Sequence, residues 1–185
     1  MRDEKEERSL NDSPLRTPNS ELRTPFRILG LDPGLHATGY GVIEDNGGKP
    51  KLVEAGVLRI PASGSLAARL DILHSGVEEI LDELTPAAVA VEELYSHYAR
   101  PRTAVIMGHA RGVLLLAAAK RNIPTASYMP TKVKRSLTGH GRASKEQMQQ
   151  AIMLQFDLPA PPEPPDVADA LAVALCHWHQ AKVMR

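Results

Sequence analysis

The stretch FRILGLDPGLHATGYGVIEDNGGKPKLVEAGVLRI, residues 26–60, joins three apolar segments through short turns. FRILGLD predicts a buried strand, GYGVIED a second strand and KLVEAGVLRI a third, because each is a short aliphatic run bounded by turn residues. The NGGK segment between the last two supplies the glycines that tight hairpin turns favour. The sequence therefore predicts that a sheet opens with three consecutive antiparallel strands.

Downstream of residue 60, helical and strand patterns alternate. In chain order, the predicted elements are a helix at 65–84, a strand at 87–94, a helix at 103–121, a strand at 123–129, helices at 131–137 and 144–156, and a last helix from Asp166. Long helical connections imply parallel pairing for the fourth and fifth strands. We therefore expect an α/β fold with a mixed five-stranded sheet flanked by helices.

Composition limits the class of protein. With 185 residues, of which 43% are hydrophobic, the chain can bury one sizeable core, and its single cysteine excludes an internal disulfide. Residues 1–24 carry mixed charges, prolines and few apolar side chains, so we expect a disordered tail before a single domain at 25–185. The apolar runs are shorter than a membrane span requires. These features predict a cytoplasmic protein without a membrane partner.

Charge is unevenly distributed along the chain, although Lys plus Arg and Asp plus Glu each number 22. No acidic residue lies between Leu94 and Lys145, a segment that contains Arg100, Arg102, Arg111, Lys120, Arg121, Lys132, Lys134, Arg135, Arg142 and Lys145. A solvated surface normally mixes both signs, whereas a concentrated basic segment favours a polyanionic partner. This segment therefore predicts nucleic-acid binding.

Acidic residues stand where predicted elements end or begin. Asp32 ends the first strand, Glu92 and Glu93 end the fourth, and Asp166 and Asp169 open the last helix. The last two could simply cap that helix, with Asp166 at the cap position. Residues three apart also share a helix face, so the same spacing can aim both carboxylates at one point. Strand alternation directs only one of Glu92 and Glu93 to that point and leaves open which one.

Such a set of hard oxygen ligands suits Mg²⁺, with Mn²⁺ as a possible substitute. Two such ions roughly 4 Å apart can activate water and stabilise the leaving oxygen in phosphodiester cleavage. A divalent cation would also relieve the repulsion among carboxylates that meet at one point. The acidic residues and the basic segment therefore predict the same kind of substrate.

Five motifs in order resemble the RuvC family of bacterial Holliday junction resolvases: ILGLDPGLHATGYGVI, AVAVEELYSHYARPRTA, GHARGVLL, VKRSLTGHGRASKEQM and PDVADALAVALCHWH. The resemblance covers about residues 27–180. It implies a ribonuclease H-like fold, a homodimer, and magnesium-dependent nicking of two symmetric strands of a four-way DNA junction. It also implies cooperation with a branch-migration helicase complex of the RuvA–RuvB type.

The resemblance assigns roles to individual residues. Asp32, Glu92, Asp166 and Asp169 correspond to the family's metal ligands, although some members have histidine at the position of Asp166. Lys134 and Lys145 correspond to basic positions near the scissile phosphate, where Lys145 could stabilise charge in the transition state. Tyr95 corresponds to an aromatic position that stacks near the junction centre. The predicted DNA contacts are Tyr95, Arg100, Arg102, Arg111, Lys132, Lys134, Arg135, Arg142 and Lys145.

Other interpretations are open at this stage. A sugar-kinase-like ATPase shares the opening hairpin but needs a second such unit and a longer chain. A non-catalytic junction-binding module, or a related nuclease that acts on RNA or on other branched DNA, would keep the basic segment. The CHWH segment at 176–179 looks like a metal site, but its spacing without a second ligand pair favours helix-end packing.

Overall fold

The structure is a computed structural model that describes residues 25–94 and 101–183. Its elements, in chain order, are β1 (Phe26–Asp32), β2 (Ala37–Asp45), β3 (Lys51–Arg59), α1 (Leu66–Leu84), β4 (Ala88–Glu92), α2 (Pro101–Lys120), β5 (Thr125–Tyr128), α3 (Pro130–Thr138), α4 (Lys145–Gln155) and α5 (Pro165–Val183). The tail 1–24 lies outside the described residues, so its disorder stays a prediction.

The five strands form one mixed sheet in the order β3-β2-β1-β4-β5. β1, β2 and β3 pair in antiparallel fashion, whereas β4 lies parallel to β1 and β5 parallel to β4. The α/β prediction is thereby confirmed, including the pairing directions. The short turns at the start force antiparallel pairing, and the helical crossovers through α1 and α2 return the chain for parallel pairing.

Side-chain alternation along the strands gives the sheet two buried faces. Ile28 and Ile43 face a core built with α3, α4 and α5. Leu29 and Leu31 face a second core built with α1 and α2. Helices therefore cover both sides of the sheet, and the ends of the buried strands are where polar side chains can reach a ligand.

Local signals explain several helix ends. The Ser65 hydroxyl accepts from the Ala68 amide at 3.2 Å, as a helix cap does. At α4, Ser144 and Gln147 exchange hydrogen bonds in a capping box. The start of α5 differs from the prediction, because the helix begins at Pro165 and Asp166 lies inside its first turn. Proline is favoured at a first helical position, which moves the helix start ahead of the aspartate.

Candidate active site

The ends of two parallel strands bring Asp32 and Glu92 together. Leu31 of β1 pairs with Val91 of β4, so the next residue of each strand projects from the same edge and in the same direction. The Asp32 carboxyl donates a hydrogen bond to Glu92. Glu93 instead donates its backbone amide to the Tyr128 carbonyl oxygen at 2.9 Å. The strand pairing thus places Glu92, and not Glu93, beside Asp32.

Helix α5 supplies the other two carboxylates. Its first turn lies against β2 at Gly39, which pairs with Asp32 in the sheet. A Cβ atom at Gly39 would overlap the Asp166 carbonyl oxygen, so only glycine permits this approach. The Asp166 and Asp169 carboxylates both raise the pKa of Asp32 by repulsion. The structure therefore gathers Asp32, Glu92, Asp166 and Asp169 at one edge, here called the acidic cluster.

Burial and repulsion hold protons on this cluster. Burial, followed by repulsion from Glu92, Asp169 and Asp166, raises the pKa of Asp32 to about 8. Burial and Asp169 raise the pKa of Glu92 to about 7, although the hydrogen bond from Asp32 and the charge of Lys134 act the other way. Burial also raises the pKa of Asp169, and Lys145 opposes this rise. Near neutral pH the four acids therefore cannot all carry charge without a compensating cation.

The donor chemistry fits a hard divalent cation. Carboxylate oxygens are the ligands that Mg²⁺ and Mn²⁺ prefer, and a dication would remove the repulsion that raises these pKa values. In their present rotamers, the described residues contain no group of three His, Cys, Asp or Glu side chains that could hold an ion. The Asp32 and Glu92 carboxyls turn toward each other in a hydrogen bond, which is the arrangement expected when protons do the neutralising.

Basic side chains border the acidic cluster. Lys145 Nζ, at the first residue of α4, lies 3.4 Å from Asp169 Oδ2, and the Lys145 side chain is 53% exposed. The positive charge of Lys134 on α3 lowers the pKa values of both Glu92 and Asp169. Lys145 therefore stands close enough to the carboxylates to contact a phosphate bound beside them, and the charge of Lys134 acts on the same place.

The turn from α3 to α4 extends this positive surface. Arg135 and Arg142 line a shallow cavity of about 500 Å³ with Thr131 and the GHG loop, Gly139–Gly141. Lys132 lies over the Tyr128 ring, with Nζ 5.1 Å from the ring centroid. Five of the nine predicted DNA contacts belong to this surface. We call them the basic rim: Lys132, Lys134, Arg135, Arg142 and Lys145.

The remaining predicted contacts divide into three cases. Tyr95 and Arg100 lie outside the described residues. Arg102 is exposed near the start of α2. Arg111 is half-buried, and two of its guanidinium nitrogens are bound within the protein, one of them to Ser127. Its contact with DNA therefore stays a prediction, and no sequence pattern indicated Ser127 as its partner.

Part of the basic segment belongs to another surface. Arg121, which follows α2, donates to Glu78 Oε1 at 2.6 Å and to Asp82 Oδ1 at 2.8 Å on α1. These contacts neutralise it on the α1–α2 side of the sheet. The ten basic residues between Leu94 and Lys145 therefore do not form one continuous positive face.

The CHWH segment binds neighbouring helices and strands. His177 Nδ1 is hydrogen-bonded to the Tyr128 hydroxyl at 2.8 Å, and His179 Nδ1 to the Ser136 hydroxyl at 2.8 Å. Burial lowers the pKa of both histidines, which keeps their rings neutral. These bonds attach the end of α5 to β5 and α3, so the segment packs the helix that carries the acidic pair.

The sequence is similar to that of a known protein family. Residues 28–177 match the model of the family described as crossover junction endodeoxyribonuclease RuvC. A protein of that name from Rhodopirellula baltica is 50% identical over 154 residues, which are 83% of this chain and 86% of the relative. Another from a Roseiflexus species is 43% identical over 162 residues, with 88% and 96% coverage.

Solved structures agree with these sequence relatives. T. thermophilus RuvC in complex with a Holliday junction substrate superposes with a TM-score of 0.80 at 34% identity, covering 85% of this chain and 96% of that chain. The yeast mitochondrial Holliday junction resolvase Ydc2 matches with a TM-score of 0.63 at 15% identity, which supports the fold alone. The similarity extends across the strands and helices that carry the acidic cluster.

Proposed function

Because the chain belongs to the RuvC family of crossover junction endodeoxyribonucleases, we infer that it hydrolyses phosphodiester bonds of four-way DNA junctions at the acidic cluster. The reaction serves homologous recombination and DNA repair. The observation that carries the proposal is the meeting of four carboxyl groups, two of them with strongly raised pKa values, beside a basic rim. Perturbed acids in such an arrangement are typical of catalytic sites.

We propose that Asp32, Glu92, Asp166 and Asp169 hold Mg²⁺, two ions for each subunit, with Mn²⁺ as a substitute. The mutual repulsion of these acids supports the assignment, because ionising all four at neutral pH requires added positive charge. When bound, such ions supply activation of water and neutralisation of the leaving oxygen. The protein must lose the proton shared by Asp32 and Glu92 before both can act as ligands.

The basic rim has two tasks in this proposal. Lys145 and Lys134 lie beside Asp169 and Glu92, where they would orient the scissile phosphate and oppose its growing negative charge. Lys132, Arg135 and Arg142 would hold the DNA backbone farther along a junction arm. We propose Tyr95, Arg100 and Arg102 as further DNA contacts, whereas Arg111, which the sequence also predicts as one, is already bonded within the protein.

We propose that the chain acts as a homodimer. A four-way junction presents two strands related by a twofold axis, which a C2 dimer with two acidic clusters would match. Helix α2 supports this arrangement because Val105 and Leu116 are 59% and 54% exposed on one helix face. By length and composition the helix at Arg102–Lys120 could also cross a membrane, and 22% of its most apolar window is buried. We propose that a second subunit, rather than a lipid bilayer, covers this face.

We also propose two features of its cellular context. Junction DNA is processed beside the chromosome, so the enzyme would be cytoplasmic. A branch-migration helicase complex of the RuvA–RuvB type would supply the moving junction. A nuclease that acts on RNA or on other branched DNA is the second candidate, and a panel of four-way junction, flap, duplex and RNA–DNA hybrid separates the two.

The first test replaces Asp32 with Asn. This change keeps the shape of the side chain but removes a carboxylate from the acidic cluster, so nicking of a synthetic four-way junction in Mg²⁺ should fall by at least about 10³-fold. Junction binding, measured by anisotropy in EDTA, should stay near the parental value. Asp71→Asn on the exposed face of α1 is the matched control and should cleave normally. Parental cleavage by Asp32→Asn would contradict the mechanism.

A further inference from the structure

Arg111 links helix α2 to the strand end that carries Glu92. Its Nε atom donates to the Glu92 carbonyl oxygen at 3.2 Å, and its Nη2 atom donates to the Ser127 hydroxyl at 2.6 Å. Glu92 ends β4 and Ser127 lies on the adjacent β5. One guanidinium group therefore bridges the ends of two strands. It belongs to α2, which covers the face of the sheet opposite to the one that α5 covers.

The peptide unit between Glu92 and Glu93 is held at both of its polar groups. Arg111 binds its carbonyl oxygen, and its amide, that of Glu93, donates to the Tyr128 carbonyl oxygen at 2.9 Å. The chain leaves the sheet directly after this unit, where no further strand pairing could set its orientation. Holding this peptide fixes the last backbone atoms of β4, and with them the position from which the Glu92 side chain leaves the strand toward Asp32.

The burial of Arg111 favours an internal role over contact with DNA. Arg102 is exposed on the same helix, whereas Arg111 is half-buried and has two nitrogens already paired. A charge-assisted hydrogen bond to a carbonyl oxygen is among the stronger polar contacts in a folded chain. Breaking these bonds to reach a phosphate would offset part of any gain in DNA affinity.

We propose that Arg111 is a positioning residue for the acidic cluster, one that fixes the Glu92–Glu93 peptide so that the Glu92 carboxyl faces Asp32. The inference rests on the proposed function of that cluster and refines it. It also gives α2, the helix with the exposed apolar face, a direct mechanical connection to the site.

The test compares four variants of the full chain. Arg111→Ala removes both bonds, Ser127→Ala removes only the second, and Arg111→Lys keeps the positive charge but places all its donors on one nitrogen. Arg102→Ala is the control on the same helix. Each protein is assayed for junction binding in EDTA, for Mn²⁺ binding followed by the electron paramagnetic resonance of free ion, and for kcat and KM across a Mg²⁺ titration.

For Arg111→Ala we expect kcat to fall about 10- to 100-fold and the Mn²⁺ dissociation constant to rise about 10-fold, as is usual when a residue that orients a ligand is lost. Its junction affinity in EDTA should stay within about twofold of the parent, a difference well under 1 kcal/mol. Ser127→Ala should change kcat and Mn²⁺ affinity in the same direction but less. Arg111→Lys should recover part of both. Arg102→Ala should weaken junction binding and leave Mn²⁺ affinity unchanged.

The opposite pattern would overturn the proposal. If Arg111→Ala loses junction affinity but keeps the parental Mn²⁺ affinity, Arg111 is a DNA contact. If Arg111→Ala unfolds, Ser127→Ala decides the question, because parental Mn²⁺ affinity and kcat in that variant would contradict the positioning role. Failure of the proposed function is separate, since it appears as cleavage by Asp32→Asn.

Discussion

At the scale of single residues, Asp32 and Glu92 show how a site can be both buried and acidic. Each ends a strand whose preceding residues are fully buried, so its carboxyl loses water, and each then faces further carboxylates. Without a bound cation, the protein lowers the repulsion between these carboxylates by keeping protons on the pair. The resulting pKa values of about 8 and about 7 make the acidic cluster sensitive to pH in the range where the enzyme would operate.

Stability without metal should therefore decrease as pH rises. The pKa of Asp32 is higher in the folded chain than its ordinary value of 3.8, so the folded state binds more protons, and stability falls between about pH 4 and about pH 8. In EDTA at pH 9, Asp32→Asn should be more stable than the parent by several kcal/mol, and at pH 4 the difference should largely vanish.

Urea denaturation of both proteins at a series of pH values measures this difference. Comparing the two proteins cancels the effect of His177 and His179, whose lowered pKa values cost stability as pH falls below the ordinary histidine range. Adding Mg²⁺ should stabilise the parent at pH 9 and leave Asp32→Asn less affected. A parent and variant with parallel stability curves would show that the carboxyl is not under electrostatic strain.

At the scale of elements, the approach of α5 to the sheet decides where the acidic pair sits. Glycines at positions 30, 39 and 41 face the helix, and a Cβ atom at any of them would overlap atoms of α5. Because these glycines have no side chains, the helix backbone lies directly on β1 and β2. The close packing of α5 therefore brings Asp166 and Asp169 beside Asp32, where the acidic cluster forms.

Gly39→Ala tests this packing. The added methyl group meets the Asp166 carbonyl oxygen, which belongs to the helix backbone and cannot move aside alone, so we expect a loss of about 2 kcal/mol or more in the free energy of unfolding. Cleavage should fall more than stability predicts, because the start of α5 shifts. Gly48→Ala is the matched control, since no atom lies within 4 Å of its added Cβ. Equal stability of the two variants would contradict the close approach.

At the scale of the whole molecule, the helices on the two faces of the sheet differ in how far they are buried. Helix α5 is buried along most of its length against the sheet. Helix α2 buries Ala110, Leu114, Ala117 and Ala118 on one side and leaves Val105 and Leu116 exposed on another. One monomer therefore leaves apolar side chains of α2 exposed, where a second subunit would complete the surface.

Leu116→Glu tests the proposed homodimer. A carboxylate at the centre of an apolar interface loses its water without a partner, so we expect the sedimentation mass to fall from that of two chains to that of one. Paired nicking of a junction should become unpaired. Leu154→Glu on α4, where the leucine is 66% exposed, is the matched control and should keep the parental mass. A Leu116→Glu protein that still sediments as two chains would place the interface elsewhere.

Much of the fold could be predicted from the sequence because its signals are local. Short apolar runs bounded by turn residues predicted the first three strands, their alternation with helical patterns predicted the other two, and Ser65 and Ser144 marked helix starts that the structure shows. Helix bounds depend on more than one residue: the sequence offers Asp166 as a cap of α5, but it lies in the first turn of that helix. Proline has no amide hydrogen and so needs no partner at the first helical position. Pro165 therefore begins the helix, which a prediction based on the aspartate alone does not take into account.

By itself, the sequence determined which residues end the strands, which residues open the last helix and which segment is free of acids, because spacing and composition are written along the chain. Only the tertiary structure decided their partners. Pairing of β1 with β4 selected Glu92 over Glu93, Arg121 was neutralised on α1, and Arg111 was turned inward to Glu92 and Ser127. Charge is a property of a residue, whereas pairing and burial depend on which distant elements pack beside it.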